Sequence, residues 1–222
     1  MWRFGRHDLR LLSMREDTMK LRNALTCAIA CVYCASAVAY GQSLTARVQE
    51  LRPGEALSIS LSPLIPSTDL PLVISWSDLV ILGRVEKARS SLTRENSSIS
   101  TTYDIKVGQV LYSKNAATSS PQQGVPPTVY VTTPGGTLTI DGHLVHLIDT
   151  SLPAFHPGAD VVLCITSDGA GGNRIVNGPY GVFLVEGNRV RSLTADRDGA
   201  IARKYDGMDV SAFRAIIQSG WR

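Results

Sequence analysis

His143 and His146, bracketed by Asp141 and Asp149, are the residues of this 222-residue chain whose types could hold a divalent metal. Imidazole nitrogens and carboxylate oxygens are zinc ligands, and a zinc-bound water is a hydrolytic nucleophile. The spacing works against a shared ion. Residues three apart on a strand point to opposite faces, so a turn or bulge would have to bring both rings to one metal. His156 precedes Pro157 in a turn and is read as solvent-facing.

Nucleophiles are no better placed. Cys164 lies in the apolar run Val161-Val162-Leu163-Cys164-Ile165, the setting of a core thiol and not of one with a lowered pKa. No Gly-x-Ser-x-Gly elbow exposes a serine. Asp104 alternates outward on its predicted strand, Asp160 opens another and Asp78 precedes a third, with no close pair for shared proton chemistry. Asp196-Arg197-Asp198-Gly199 opens like a calcium loop but lacks the closing Glu twelve positions in. Gly169-Ala170-Gly171-Gly172 is followed by a strand pattern, so no helix N-terminus is offered to a phosphate. No catalytic or cofactor-binding residue is therefore assigned and no cofactor is expected; His143, His146, Asp141 and Asp149 are the metal candidates.

Charge narrows the partners. The chain carries a formal net charge of +3, and all of it belongs to the first 22 residues; from Gln42 onward 16 Lys or Arg face 16 Asp or Glu. Nucleic-acid binding needs a concentrated basic surface, and no run after Gln42 supplies one, so no nucleic acid is expected. Residues 1–41 read as a signal peptide. Met19, Lys20 and Arg22 form a basic start, residues 24–39 an apolar stretch, and Ala37-Val38-Ala39 a small-residue cleavage pattern. Cleavage is expected after Ala39 or Gly41, with residues 1–18 an over-long n-region and Met19 the start. The apolar stretch is shorter than the ~20 residues of a membrane span, so no stable span is expected after cleavage. Cys27, Cys31 and Cys34 would leave with the leader; a lipid-anchored Cys31 is the alternative. Cys164 then stands alone, and the domain must be held by its core.

Residues 42–72, with prolines at 53, 63, 66 and 71, read as an extended lead-in carrying one short edge strand at 56–61. Residues 73–222 read as a single β-rich domain. Leu79-Val80-Ile81-Leu82-Gly83 is a strand covered on both faces or closed in a barrel. Residues 101–112 alternate with a break at Gly108, the pattern of a bulged strand that carries Tyr103, Ile105, Val107 and Leu111 on one side. Residues 128–133, 137–140 and 143–148, separated by Pro134-Gly135-Gly136 and Asp141-Gly142, read as hairpins. Further strands cover 161–166, 174–176, 182–185 and 189–193. Asp209 caps a helix over 209–219 with Val210, Phe213, Ile216 and Ile217 on one face. The fold class expected is mainly β: a small antiparallel OB-like β-barrel of seven to nine strands with added hairpins and one C-terminal helix.

Thr102-Tyr103-Asp104-Ile105-Lys106-Val107-Gly108-Gln109-Val110-Leu111 and Phe155-His156-Pro157-Gly158-Ala159-Asp160-Val161, with Pro-Gly-Gly between them, resemble uncharacterised exported bacterial β-rich proteins over about residues 76–193. The strand order is distantly similar to the OB-type barrel of the netrin and metalloprotease-inhibitor superfamily. That resemblance implies a fold alone. Inhibitors of that type use an N-terminal, disulfide-tied cysteine, and no cysteine lies between Gln42 and Cys164.

The function expected is that of an exported, non-enzymatic binding module in the periplasm or secreted. Its partner would be an extracytoplasmic protein, peptide or envelope polymer, held by the polar loops 90–98 and 113–127. A metal-dependent or serine-type envelope hydrolase is one alternative, and a structural accessory envelope protein the other.

Overall fold

The first described elements are a helix α1 (Leu44–Gln49), a strand β1 (Leu57–Leu61) and a helix α2 (Leu70–Ser75). A long hairpin follows, β2 (Leu79–Leu92) and β3 (Ile99–Ser113), and then β4 (Thr128–Pro134), β5 (Gly136–Ile140), β6 (His143–Asp149), β7 (Asp160–Ser167) and β8 (Asn173–Ile175). A 3₁₀ turn at Gly178–Gly181 leads into β9 (Val182–Glu186) and β10 (Arg189–Ser192), and helices α3 (Ala200–Tyr205) and α4 (Val210–Ser219) complete the described chain. The computed structural model describes residues 43–114, 125–169, 171–194 and 200–219. The expected leader and residues 115–124 of the expected loop 113–127 lie outside the described residues. Contacts divide the chain into Met1–Ser43 and Leu44–Arg222, and every element named here belongs to the second unit.

The small OB-like barrel with one helix is corrected. Seven strands form one sheet in the order β10-β9-β7-β2-β3-β4-β8, β1, β6 and β5 form a separate three-stranded sheet, and the described residues hold four α-helices. The architecture is mixed α/β. One edge of β7 runs along β2, while its other edge is shared between β9 in its first half and β8 in its last three residues. That seam is only three residue pairs long, and the sheet continues past it through β9 and β10, so it is not the expected small OB-like barrel.

The apolar run in β7 is buried on both faces. Val162 and Cys164 join a cluster with Phe183, Phe213 and Tyr205; Val161, Leu163 and Ile165 join a second with Ile81, Ile105 and Val131. The first cluster is roofed by helices. Asp69 caps α2, its Oδ1 accepting from the Leu72 N–H at 3.1 Å, and Asp209 caps α4 by accepting from the Ser211 N–H at 2.8 Å. Phe213 from α4 meets the rings of Phe183 and Tyr205 at 4.6 and 5.7 Å. Burying one such side chain contributes about 1.5–3 kcal/mol, more than the propensity of a ten-residue helix supplies by itself.

The β2–β3 hairpin carries register shifts at three places, between Val80 and Ile81, Leu82 and Gly83, and Val85 and Lys87. The second leaves Gly108 unpaired opposite β2, where the sequence pattern broke. The first skips Leu111, which sends it into the helix-covered cluster while Val110 takes the place beside Ile105; the expected grouping of Leu111 with Tyr103, Ile105 and Val107 is corrected accordingly. Gly83 is required by close approach, because a Cβ there would stand 2.7 Å from both Ile105 Cγ2 and the Lys106 carbonyl oxygen.

At its tip the hairpin joins the second sheet. Leu92 and Ile99 pack in a third apolar cluster with Leu44, Val48, Val145 and Leu147. Residues 44–75 contribute two helices and a strand to the packed unit. β5 and β6 form the expected hairpin across Asp141-Gly142, both at positive φ (49° and 82°), the geometry of a two-residue primed turn. β4 and β5 do not pair. Gly135 and Gly136, at φ 95° and 140°, carry the chain from one sheet to the other.

Candidate ligand cleft

That crossover opens a cleft of ≈ 580 Å³ between the two sheets, walled by β3 and β4 on one side and by the end of β6 and residues 152–154 on the other. Thr101 and Thr133 are register partners on adjacent strands, and alternation sets both on the same face as Tyr103 and Val131. The Thr101 hydroxyl donates to the Gly135 carbonyl at 2.7 Å and lies 3.0 Å from Ser90 Oγ. A Cβ on Gly136 would collide with the hydroxyl oxygens of Ser90 and Thr101, and one on Gly135 would stand 2.9 Å from the Leu147 carbonyl oxygen. Both glycines are thus needed for positive φ and for space.

The opposite wall is fixed by its own hydrogen bonds. Asp149 Oδ1 accepts from the Ser151 N–H at 2.8 Å, the Ser151 hydroxyl at 2.6 Å and the Leu152 N–H at 3.3 Å, an Asx-type turn. Thr150 donates its hydroxyl to the Leu61 carbonyl at 3.0 Å. Tyr103 closes the floor, its hydroxyl accepting from the Phe155 N–H at 3.3 Å and its ring 4.8 Å from that of Phe155. The lining is hydroxyl, carbonyl and apolar. Its one carboxylate is committed to a turn and the Thr101 proton to a carbonyl.

The four metal candidates are not brought together. His143 and His146 sit on opposite faces of β6: His143 Nδ1 is 2.9 Å from the Glu55 carbonyl oxygen, and His146 Nδ1 is 3.0 Å from Thr137 Oγ1. Asp141 occupies the β5–β6 turn and Asp149 faces the cleft. Among the described residues no three His, Cys, Asp or Glu side chains gather as a metal set. His156 accepts the Ala159 N–H on its carbonyl in the expected turn.

Other polar groups serve the sheets. Asp104, expected to alternate outward, is buried at 9 % exposure beneath Arg89, whose guanidinium donates to it at 2.5 Å. Arg84 grips Asp160 through two hydrogen bonds of 2.7 Å across the β2–β7 pair and holds that carboxyl below its ordinary range. The Thr166 hydroxyl, at 2.6 Å, does the same to Asp78, helped by the Ser167 N–H. Burial pushes the Cys164 thiol up to about 12, which makes it inert. The expected binding loop 90–98 is shorter than read: β2 runs to Leu92 and β3 begins at Ile99, and residues 93–98 form a tight turn in which the Thr93 N–H donates to the Ser98 carbonyl.

No protein-family model matches the chain, and no curated protein matches it. The resemblance to exported bacterial β-rich proteins and to the netrin and metalloprotease-inhibitor barrel is therefore corrected: no match supports it, and the open seven-stranded sheet departs from the fold it implied. Sequence reasoning missed the cleft. The one signal of it was Gly135-Gly136, which was read as a hairpin turn. No helix among the described residues is long and apolar enough to cross a membrane.

Proposed function

We propose that the protein is an exported, non-enzymatic binding module for an extracytoplasmic protein, peptide or envelope polymer, and that the inter-sheet cleft is its ligand seat. The observation that carries this reading is the cleft wall of Thr101, Thr133, Tyr103 and Thr150 beside Leu147 and Leu152. Hydroxyls and carbonyls in a concave, partly apolar setting favour an uncharged chain that both donates and accepts hydrogen bonds. Location in the periplasm or outside the cell is part of the proposal and rests on the basic start and apolar stretch of residues 19–39.

Ala154, exposed at the rim of the cleft, gives the test. The full chain is applied to peptide and envelope-glycan arrays beside Ala154→Trp, whose indole would fill the mouth while leaving the core untouched. Loss of the captured ligand in the variant, with an unchanged melting temperature, supports the reading. Equal capture by both proteins rejects the cleft as the seat. Mass spectrometry of the exported form, expected to begin at Tyr40 or Gln42, tests the location.

A further inference from the structure

The three-stranded sheet ends at β1, which pairs in parallel with β6 and with no other strand. Its backbone groups can be assigned to sides. In a parallel ladder both the N–H and the C=O of one residue point to the partner strand, and those of the next residue point away. The Leu61 carbonyl accepts from the Thr150 N–H at 2.9 Å, just beyond the Leu61–Asp149 register pair. Leu57, Ile59 and Leu61 therefore spend their backbone groups on β6, and the N–H and C=O of Ser58 and Ser60 face outward. Among the described residues no second strand pairs with β1 on that side.

Natural sheets protect such an edge with charged side chains, prolines or a covering loop. Leu57-Ser58-Ile59-Ser60-Leu61 carries no charge and no proline, and Ser58 and Ser60 are exposed. On the inner face Leu57, Ile59 and Leu61 are only half-buried and form the margin of the apolar cluster containing Leu44, Val48, Val145 and Leu147. The edge thus offers alternating donors and acceptors at strand spacing with an unfinished apolar face beside them. We infer that β1 accepts an extended polypeptide segment as a fourth strand, with apolar residues at every second position. The backbone ladder selects for another backbone over a glycan, and the exposed apolar margin selects the alternation. This surface is distinct from the cleft, and its occupancy does not depend on what the cleft binds.

The test selects binders for the full chain from a displayed library of random eight-residue peptides. Selected sequences are expected to alternate apolar residues and to slow amide hydrogen exchange at Ser58 and Ser60, which exchange freely without peptide while Ile59 and Leu61 are protected. Ser60→Pro removes an outward N–H while sparing the bonds to β6, as edge strands tolerate, and should weaken those peptides roughly fivefold or more; Ser60→Thr should not. Should the proline variant fail to fold, Ser58→Lys with Ser60→Lys places charge on the exposed edge and is expected to give the same loss. The inference is overturned by a library that yields no binder, by binders insensitive to these variants, or by protection of Ser58 and Ser60 in the free monomer. Protection that instead rises with protein concentration, alongside a dimer in sedimentation, assigns the edge to a second copy of the chain and also overturns it. Ala154→Trp, which leaves β1 untouched, is expected to bind the selected peptides as the parent does, so failure of the cleft reading is seen separately.

Discussion

Gly83→Ala adds a single methyl group at the point where β2 and β3 lie closest. The new Cβ would stand 2.7 Å from Ile105 Cγ2 and 2.7 Å from the Lys106 carbonyl oxygen. Neither neighbour can yield freely. Ile105 is fully buried, and Lys106 is held by pairing on both sides, to Arg84 of β2 and Thr128 of β4. Overpacking of this kind costs about 1–3 kcal/mol, and contact with backbone places the substitution near the top, about 2–3. For a domain of this size each kcal/mol lowers the melting temperature by about 2–4 °C, so a fall of about 4–12 °C is expected. Two other glycines separate packing from conformation. Gly108, unpaired at the same bulge, has as its nearest neighbour the Leu82 carbonyl oxygen at 3.4 Å, and Gly108→Ala should stay within about 0.5 kcal/mol of the parent. Gly142 has no atom within 4 Å of a Cβ but sits at φ 82°, so Gly142→Ala should cost about 1–2 kcal/mol from backbone strain alone. Thermal unfolding followed by circular dichroism, with urea midpoints to check that the slope is unchanged, reads all three. A Gly83→Ala melting temperature within about 2 °C of the parent, or a Gly108→Ala loss as large, would refute the close-packed bulge.

Acid should weaken the fold through Asp78, Asp160 and Asp209. All three are held below the ordinary 3.8, by the Thr166 hydroxyl, the Arg84 guanidinium and the Ser211 hydroxyl respectively. Depressed carboxyls stabilise the folded state above the unfolded value, and that contribution is lost as pH falls through the lower folded value. The urea midpoint should hold above about pH 5 and drop below about pH 4, less steeply in Asp78→Asn; an unchanged slope in that variant would exclude its part. Cys164, fully buried and pushed up to about 12, should resist iodoacetamide at pH 8 until the protein unfolds, and mapped labelling of that residue in native protein within minutes would contradict the packing. His143→Ala with His146→Ala removes two partly exposed hydrogen bonds and should shift the melting temperature by no more than about 2–4 °C, as roughly 1 kcal/mol implies. Stoichiometric zinc lost in that double variant would place a metal where the geometry sets the rings apart.

Most strand positions could be read from β-branched runs and turn residues, but not the order in which the strands pair. The core setting of Cys164 in β7 could be read from five consecutive apolar residues, the bulge from Gly108 interrupting a period of two, and α4 from Asp209 and the spacing of Val210, Phe213, Ile216 and Ile217. The short helices were harder because six residues barely exceed one and a half turns and show no period. Even so, Asp69 followed by Pro71 is a helix-start signal, a cap and then a proline in the first turn. Asp104 shows a different difficulty. Alternation puts it on the outer face, and it is there, but Arg89 from the neighbouring strand folds over it. A linear pattern gives the side of a sheet and not what another side chain lays across it.

The cleft was invisible for a related reason. Its walls come from Thr101, Thr133 and residues 147–154, which meet only because Gly135 and Gly136 turn the chain out of one sheet and into the next. Two adjacent glycines between β-branched runs have the same appearance in a tight hairpin and in a sheet-to-sheet crossover. Pairing decides between them: β4 spends its edge on β3 from Ser100 to Lys106, and β5 spends its own on β6. The hydroxyl chemistry of the cleft adds no motif either, since threonines on strands are ordinary β-formers. The β2–β3 hairpin reaches all three apolar clusters. Its base packs in the two clusters of the large sheet and its tip, Leu92 and Ile99, in the cluster of the small one.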